Sequence, residues 1–148
     1  MYEGKATEAE KTRIRSQYGD IGAATAVLLD LSKDYFGTGR NITADNFFGS
    51  KEAAGELMKR RLTGVFTMRK QRREIPREIT EARGQELHSS KFFFSDNCML
   101  VAYKTKPRKV VLALSSFHLN PLVSTTEPRK PQIILHYNGT KGQLVKLG

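Results

Sequence analysis

The segment RNITADNFFGS, residues 40–50, decides the fold class of this chain. Its first half is short and partly β-branched and ends at Asp45, a pattern that predicts a buried strand finishing in an acid. Ser50 then stands where it can cap a helix whose apolar residues recur on successive turns. A helix precedes the segment, and residues 65–68 follow as another strand. The order helix, strand, helix, strand indicates an α/β layer with parallel strands.

The helix before this segment has the strongest periodicity in the chain. Asp20 is its predicted N-cap, and Gly37 and Gly39 end the run. Residues 1–18 are polar with mixed charge and indicate either a leader or a frayed helix. The apolar positions of the predicted helix are Ile21, Ala24, Val27, Leu28, Leu31 and Tyr35.

The second half of the chain has a different character. Residues 74–90 are polar and are broken by Pro76 and Gly84. The sequence then predicts extended segments separated by turn-like residues, which is typical of an antiparallel meander. These segments are residues 91–94, 99–104, 109–115 and 132–137.

Composition excludes several classes of protein. The chain has 148 residues, of which 39% are hydrophobic, so it has enough apolar side chains for a core. No apolar run reaches the roughly 20 residues of a membrane span, and the first twenty residues contain no signal-peptide pattern. The single cysteine, Cys98, excludes an internal disulfide and a zinc site built on two thiolates.

The charge favours a polyanionic partner. The formal net charge is +10, and residues 59–83 contain nine basic residues against three acidic ones. Such an excess indicates nucleic acid first and an acidic membrane surface second, with a merely basic protein as the alternative. The candidate nucleic-acid-binding residues are Lys59, Arg60, Arg61, Arg69, Lys70, Arg72 and Arg73.

Asp45 by itself has two interpretations, a turn-capping acid or an acid at the ligand-binding end of a parallel strand. The motif around it, R-N-I-T-x-D-N-x-F-x-S, resembles the second acidic motif of piggyBac-type transposases. Later segments are similar to segments of that family and occur in the same order. The resemblance as a whole covers the chain from about residue 31 to the C-terminus. The later segments are Thr67-x-Arg69-x-x-Arg72-x-x-Ile75-Pro76, Leu100-Val101-x-Tyr103-Lys104-x-Lys106-Pro107, Val110–Ser116, Lys130-Pro131-Gln132 and Tyr137-Asn138-x-Thr140-Lys141-Gly142.

The resemblance implies an RNase H-like fold and metal-dependent DNA strand transfer, in which three carboxylates hold Mg²⁺. Asp45 matches one of the three, as a catalytic and metal-binding remnant. Val145 stands in the place of the third acid, and the first lies upstream of anything matched here. We therefore expect an inactive, truncated or domesticated relative that binds no cofactor, retains sequence-independent DNA binding and is nuclear.

The predicted fold class is α/β, a partial RNase H-like core with its early strands missing, interrupted by a β-rich insertion domain. The predicted divisions are a leader (1–18), the partial core (19–73), the insertion (74–129) and a return to the core (130–148). Without its usual neighbour, the strand ending at Asp45 is expected to have an unpaired edge. This leaves two alternatives to DNA binding: a regulatory fragment that self-associates or pairs with an intact transposase, and a relic without function.

The remaining chemical candidates have structural interpretations. His88, His118 and His136 have no metal-ligand spacing. Ser115 and Ser116 with His118 could form a nucleophile and base, but no acid partner is evident. The run Phe92–Phe94 could stack on bases, although packing in a core is the favoured interpretation.

Overall fold

The computed structural model of the chain describes residues 7–72, 75–82, 84–140 and 145–147. The helices are α1 (Glu8–Tyr18), α2 (Ala23–Ser32), α3 (Lys51–Lys59), α4 (Arg77–Thr80) and α5 (Gln132–Thr140), and a 3₁₀ turn (Lys33–Tyr35) follows α2. The strands are β1 (Asn41–Ala44), β2 (Thr63–Met68), β3 (Ser90–Ser95), β4 (Cys98–Lys106), β5 (Lys109–Ser115) and β6 (Val145–Leu147). The alternative of a helix at the N-terminus is confirmed for Glu8–Tyr18.

The six strands form one sheet in the order β3-β4-β5-β2-β1-β6. β1 and β2 are parallel, with Ala44 opposite Phe66, which confirms the predicted α/β layer. β3, β4 and β5 form the predicted antiparallel meander. β5 pairs with β2, so the meander extends the same sheet as the parallel strands.

Each face of the sheet packs against helices, because neighbouring residues of a strand point to opposite faces. Phe66 and Leu112 contact one core cluster, which includes Leu28 of α2 and Leu57 of α3. Val65, Met99, Val101 and Ala113 belong to a second cluster with Ile133 and Ile134 of α5. The sheet therefore lies between α5 and the helices of the first half of the chain.

The predicted N-cap of α3 is confirmed, but that of α2 is wrong. The Ser50 hydroxyl accepts the Ala53 N–H at 2.9 Å. α2 begins at Ala23 with Gly22 as N-cap, two residues beyond Asp20, and Gly22 has no side chain to cap the helix. Glu52 of α3 accepts the Gly22 N–H instead, at 3.1 Å, so a residue distant in sequence replaces the local cap.

The predicted strand at residues 132–137 is also wrong, because this segment begins helix α5. Short apolar runs fit a strand and a buried helix equally well, so the sequence pattern could not decide. Ile133 and Ile134 are both buried against the sheet, and the Leu135 N–H donates to the Pro131 carbonyl to start the helix. Packing against the sheet face selects the helix.

The expected unpaired edge of β1 is not present. β6 pairs antiparallel with β1, with Ile42 opposite Leu147 and Ala44 opposite Val145. β1 therefore has a hydrogen-bonded neighbour on each side, and the strand at Val145–Leu147, not the N-terminal helix, covers its edge. Over the ranges that the structure describes, no helix is both long and apolar enough to cross a membrane.

Candidate nucleic-acid interface

Asp45 lies directly after β1 and is half-buried. Its Oδ1 accepts the Phe47 N–H at 3.0 Å, and its carbonyl accepts the N–H groups of Phe48 and Gly49, each at 3.1 Å. The carboxylate thus stabilises the turn that leads into α3. Both interpretations of Asp45 from the sequence are compatible with this position: it is a turn acid and it stands at the carboxyl end of a parallel strand.

Gly49 holds this turn against β2. A Cβ atom at Gly49 would lie 2.0 Å from the carbonyl oxygen of Thr67, so only glycine permits this approach. Thr67 is the second-last residue of β2, and Arg69 follows the strand. Because β1 and β2 are parallel, their carboxyl ends meet at one edge of the sheet, where open α/β sheets bind ligands. Asp45 and the residues after β2 therefore occupy the same edge, here called the Asp45 edge.

Three described basic residues lie at the Asp45 edge: Arg69, Lys70 and Arg72. Arg69 and Lys70 are exposed, and no carboxylate in the described part of the chain forms an ion pair with either. Arg72 is half-buried, and its Nε is buried without a hydrogen-bond partner. Arg73, also predicted to bind nucleic acid, lies outside the described residues. The edge therefore presents unneutralised cations.

A cleft of about 300 Å³ adjoins these residues, and Arg72 lines it together with the N-terminal ends of α2 and α3. Glu52 lies in this cleft. Its Oε1 accepts both the Gly22 N–H and the Thr25 hydroxyl, the latter at 2.7 Å. The N-terminus of a helix favours a negative charge, so Glu52 serves as an internal anion at α2.

Lys59, Arg60 and Arg61 lie at the other end of β2. The strand has six residues and is about 16 Å long at roughly 3.3 Å per residue, and it separates them from Arg69. In the sequence, all of these basic residues belong to one stretch. In the structure, the sheet separates them into two groups at opposite edges.

Glu56 partly neutralises this second group. Its carboxylate lies 2.7 Å from the Lys59 ammonium and 3.1 Å from the Arg60 guanidinium. The hydrogen bond from Lys59 is the main reason that the pKa of Glu56 is lowered. Arg60 also lies 5.6 Å from the ring of Tyr18 and 5.5 Å from the ring of Phe36, so it connects α1 and the end of the 3₁₀ turn to α3.

The structure also brings together two histidines that are 18 residues apart. The rings of His118 and His136 are 4.9 Å apart, near the end of β5 and on α5. Ser115 Oγ lies 3.0 Å from His118 Nδ1, and Asn41 Nδ2 lies 3.2 Å from His136 Nε2. No spacing pattern could have revealed this contact, because it depends on where α5 docks.

Burial lowers the pKa of both histidines, and the neighbouring His136 lowers that of His118 further. The Ser115 hydroxyl also accepts the backbone N–H groups of Phe117 and His118, at 3.0 and 2.7 Å. Its own proton is therefore free to be donated to His118, which does not need to be charged. The pair of rings packs α5 on the sheet, and none of the carboxylates in the described residues forms a hydrogen bond with Ser115.

Comparison with known proteins agrees with these features. The profile of the family described as "Transposase IS4" matches residues 1–146. A solved structure, described as the cryo-EM structure of a piggyBac transposase synaptic complex with hairpin DNA, is 38% identical in sequence. Its TM-score is 0.74 over 86% of this chain. The profile match covers nearly the whole chain, so the chain belongs to the IS4-type transposase family.

Within that family the chain is a piggyBac-type transposase sequence, as the motif around Asp45 predicted. It spans 27% of the length of the piggyBac transposase chain that it matches. That protein's complex with hairpin DNA is a property of the relative.

Transposases of this family are typically metal-dependent, so we tested whether the Asp45 edge fits a divalent ion. Among the residues described, no group of three or more His, Cys, Asp or Glu side chains is placed to hold a metal. Asp45 already uses Oδ1 in its own turn, and Val145, where the resemblance expects the third acid, pairs with Ala44 on β1. Mg²⁺ keeps its waters unless several oxygens are fixed together. The residues described at the Asp45 edge therefore do not form a binding site for a divalent metal ion.

Proposed function

We propose that this chain is a catalytically inactive, piggyBac-derived DNA-binding protein whose contacts with DNA are made by the Asp45 edge. The observation that carries the proposal is the unneutralised group Arg69, Lys70 and Arg72 at the carboxyl ends of the parallel strands. We include Arg73 in this group from its place in the sequence. Lys59, Arg60 and Arg61 form a secondary basic surface in the proposal, already partly neutralised by Glu56.

The chemistry of the edge supports phosphate recognition. Arginine presents a planar fork of donors that matches phosphate oxygens, and Arg69 is exposed at this edge without an ion-pair partner among the described residues. Exposed cations without ion-pair partners release counterions from DNA when they bind, which favours association without sequence preference. The relative in complex with hairpin DNA is consistent with DNA as the polyanion. The proposal also includes a nuclear location, on the ground of the family resemblance.

The same proposal includes the architecture that the resemblance implies. Residues 19–73 are a partial RNase H-like core, residues 74–129 a β-rich insertion and residues 130–148 the return to the core. β3, β4 and β5 continue the sheet from β2, so the insertion would share the core's sheet. Asp45 is the one acid of the expected three that is placed at the edge.

The decisive experiment compares two double variants that each remove two positive charges. Arg69→Ala/Lys70→Ala changes the Asp45 edge, and Lys59→Ala/Arg61→Ala changes the opposite edge. With about four phosphate contacts, the affinity of the unmodified chain for duplex DNA should fall on the order of 100-fold between 50 and 200 mM salt. The first variant should reduce the slope of log K against log salt by about 1.8, and the second should reduce it much less, because Glu56 already partly neutralises that group.

Fluorescence anisotropy with two duplexes of unrelated sequence measures both slopes and any sequence preference. Equal losses in the two double variants would mean that the whole basic surface binds DNA and that the Asp45 edge is not the site. Strong preference for one duplex would contradict the sequence-independent part of the proposal.

Catalysis is tested separately with supercoiled DNA and Mg²⁺ or Mn²⁺. We expect no nicking, because one carboxylate cannot hold the two metal ions that strand transfer needs. Metal-dependent nicking that disappears in Asp45→Ala would show that the chain is an active enzyme.

A further inference from the structure

β3 is an edge strand of the sheet, with β4 on one side and no neighbouring strand on the other within the described residues. It is a run of six residues, SKFFFS, with a single charge at Lys91. The expected core packing of its phenylalanines holds in part: Phe92 and Phe93 are half-buried, whereas the side chain of Phe94 is 59% exposed. An exposed, apolar edge strand is a template for pairing with another chain.

The hairpin geometry shows which backbone groups are unpaired. Ser95 and Cys98 close a two-residue turn in which Asp96 has a φ of 51°. The residues that close such a turn form a hydrogen-bonded pair, and the pattern alternates along an antiparallel ladder. The backbone groups of Ser95, Phe93 and Lys91 therefore point toward β4. Those of Phe94, Phe92 and Ser90 point away from the sheet.

We propose that β3 pairs antiparallel with β3 of a second copy of this chain, with Phe92 on the two-fold axis. In this register, Phe92 lies opposite Phe92 of the second copy, and Ser90 lies opposite Phe94. All three outward-facing residues then obtain hydrogen-bond partners, and the sheet becomes a continuous twelve-stranded one of two copies of six.

The side chains support a second copy as the occupant. A two-fold axis perpendicular to the sheet keeps each residue on its own face, so the Phe92 rings of the two copies meet on one face. On the other face, Lys91 lies opposite Phe93 of the second copy, where its ammonium can approach an aromatic ring, and two lysines never lie opposite each other. The strand carries no acidic residue, so it offers no opposite charge to a basic peptide. It also carries no arginine, so it offers no phosphate-binding fork to DNA.

Phe94→Pro tests the backbone part of this pairing. A proline at this position removes an outward-facing N–H but no hydrogen bond to β4, and edge strands tolerate proline there. Sedimentation velocity of the full chain should show a monomer–dimer equilibrium. Phe94→Pro should weaken the dimer by on the order of tenfold or more, because two symmetry-related bonds are lost. Phe94→Thr, which keeps the N–H, should weaken it much less.

Leu122→Lys is the matched control. Leu122 is also exposed, at 54%, and lies beside the start of α5, where its carbonyl accepts the Gln132 N–H. Leu122→Lys should leave the dimer intact. A dimer that is lost in Leu122→Lys and retained in Phe94→Pro would place the interface at Leu122 and overturn the proposal, as would a wild-type chain that stays monomeric.

Cross-linking tests the register. Only a residue on the two-fold axis meets itself, and the Cα separation of about 5.5 Å in a hydrogen-bonded pair is within the range of a disulfide. Phe92→Cys should therefore oxidise to a covalent dimer, whereas Phe94→Cys should not. Native Cys98 is buried, so the unmodified chain is the blank. Efficient cross-linking of Phe94→Cys with none in Phe92→Cys would refute this register.

Salt separates this proposal from DNA binding. Salt screens the repulsion between two copies of net charge +10, so dimerisation should strengthen as the salt concentration rises. DNA binding should weaken over the same range.

Discussion

Glu52 provides the most direct test of how this fold is held together at the Asp45 edge. It belongs to α3, yet its Oε1 accepts the Gly22 N–H at 3.1 Å and the Thr25 hydroxyl at 2.7 Å at the start of α2. Gly22 offers no side-chain cap of its own. Glu52→Ala therefore removes the capping oxygen of a helix that it does not belong to, and leaves Thr25 without its acceptor.

The expected loss of stability follows from the caps. An N-cap side chain contributes about 1 kcal/mol, and a charged acceptor contributes more than a neutral one. Because Glu52 is exposed to solvent, water compensates part of the loss, and we expect about 1–2 kcal/mol. For a chain of this length, this corresponds to a decrease in Tm of roughly 2–8 °C. Glu52→Gln keeps an acceptor oxygen and should lose less than half of that amount.

The same substitution should strengthen DNA binding, since it removes a negative charge from the cleft that Arg72 lines. Because this charge acts on DNA through water, its removal should change the affinity for DNA by about twofold at low salt concentration and by less at high salt concentration. Asp34→Ala is the control, because it makes the same charge change on the 3₁₀ turn at the far end of α2.

Thermal melts followed by circular dichroism and anisotropy titrations measure both effects. Equal Tm values for Glu52→Ala and Asp34→Ala would refute the capping by Glu52. DNA binding in Glu52→Ala that is no stronger than in Asp34→Ala would show that the cleft does not face DNA.

Three further outcomes are expected from the structure. Gly49→Ala should destabilise the chain by on the order of 1–3 kcal/mol in urea unfolding, because its Cβ would lie 2.0 Å from the Thr67 carbonyl; a change below about 0.5 kcal/mol would contradict that approach. Ser50→Ala should cost about 1 kcal/mol, read from the urea midpoint, and an unchanged midpoint would mean that the α3 cap is dispensable. Burial lowers the pKa of His118 and of His136 in the folded state, so the unfolded chain binds more protons at acidic pH. The contribution of the two histidines to stability should be constant above the unfolded value of about 6.5 and should fall as the pH drops below it, and His136→Asn should reduce this pH dependence.

Several features of this protein could be predicted from local pattern alone. The strand ending at Asp45 and the Ser50 cap depend on residues that are close in sequence, and the structure contains both. The meander was equally predictable, since consecutive extended segments separated by short turns indicate antiparallel strands. The family was visible in the order of its motifs.

What the sequence could not determine depends on contacts between residues that are far apart in the chain. Residues 132–137 fit a strand or a helix, and docking of Ile133 and Ile134 on the sheet selected the helix. The apolar faces of strand and helix overlap in so short a run, and only packing distinguishes them.

The location of the candidate site also depends on contacts between residues that are far apart in the chain. The sequence showed one basic stretch, but β2 lies between its two halves and places them at opposite edges of the sheet. Only the half at Arg69 lies beside Asp45, whereas Glu56 partly neutralises the other. Charge and composition are properties of the sequence, but which charges lie together depends on strand direction. The parallel pairing of β1 and β2 brings their carboxyl ends to one edge, and that tertiary fact locates the site.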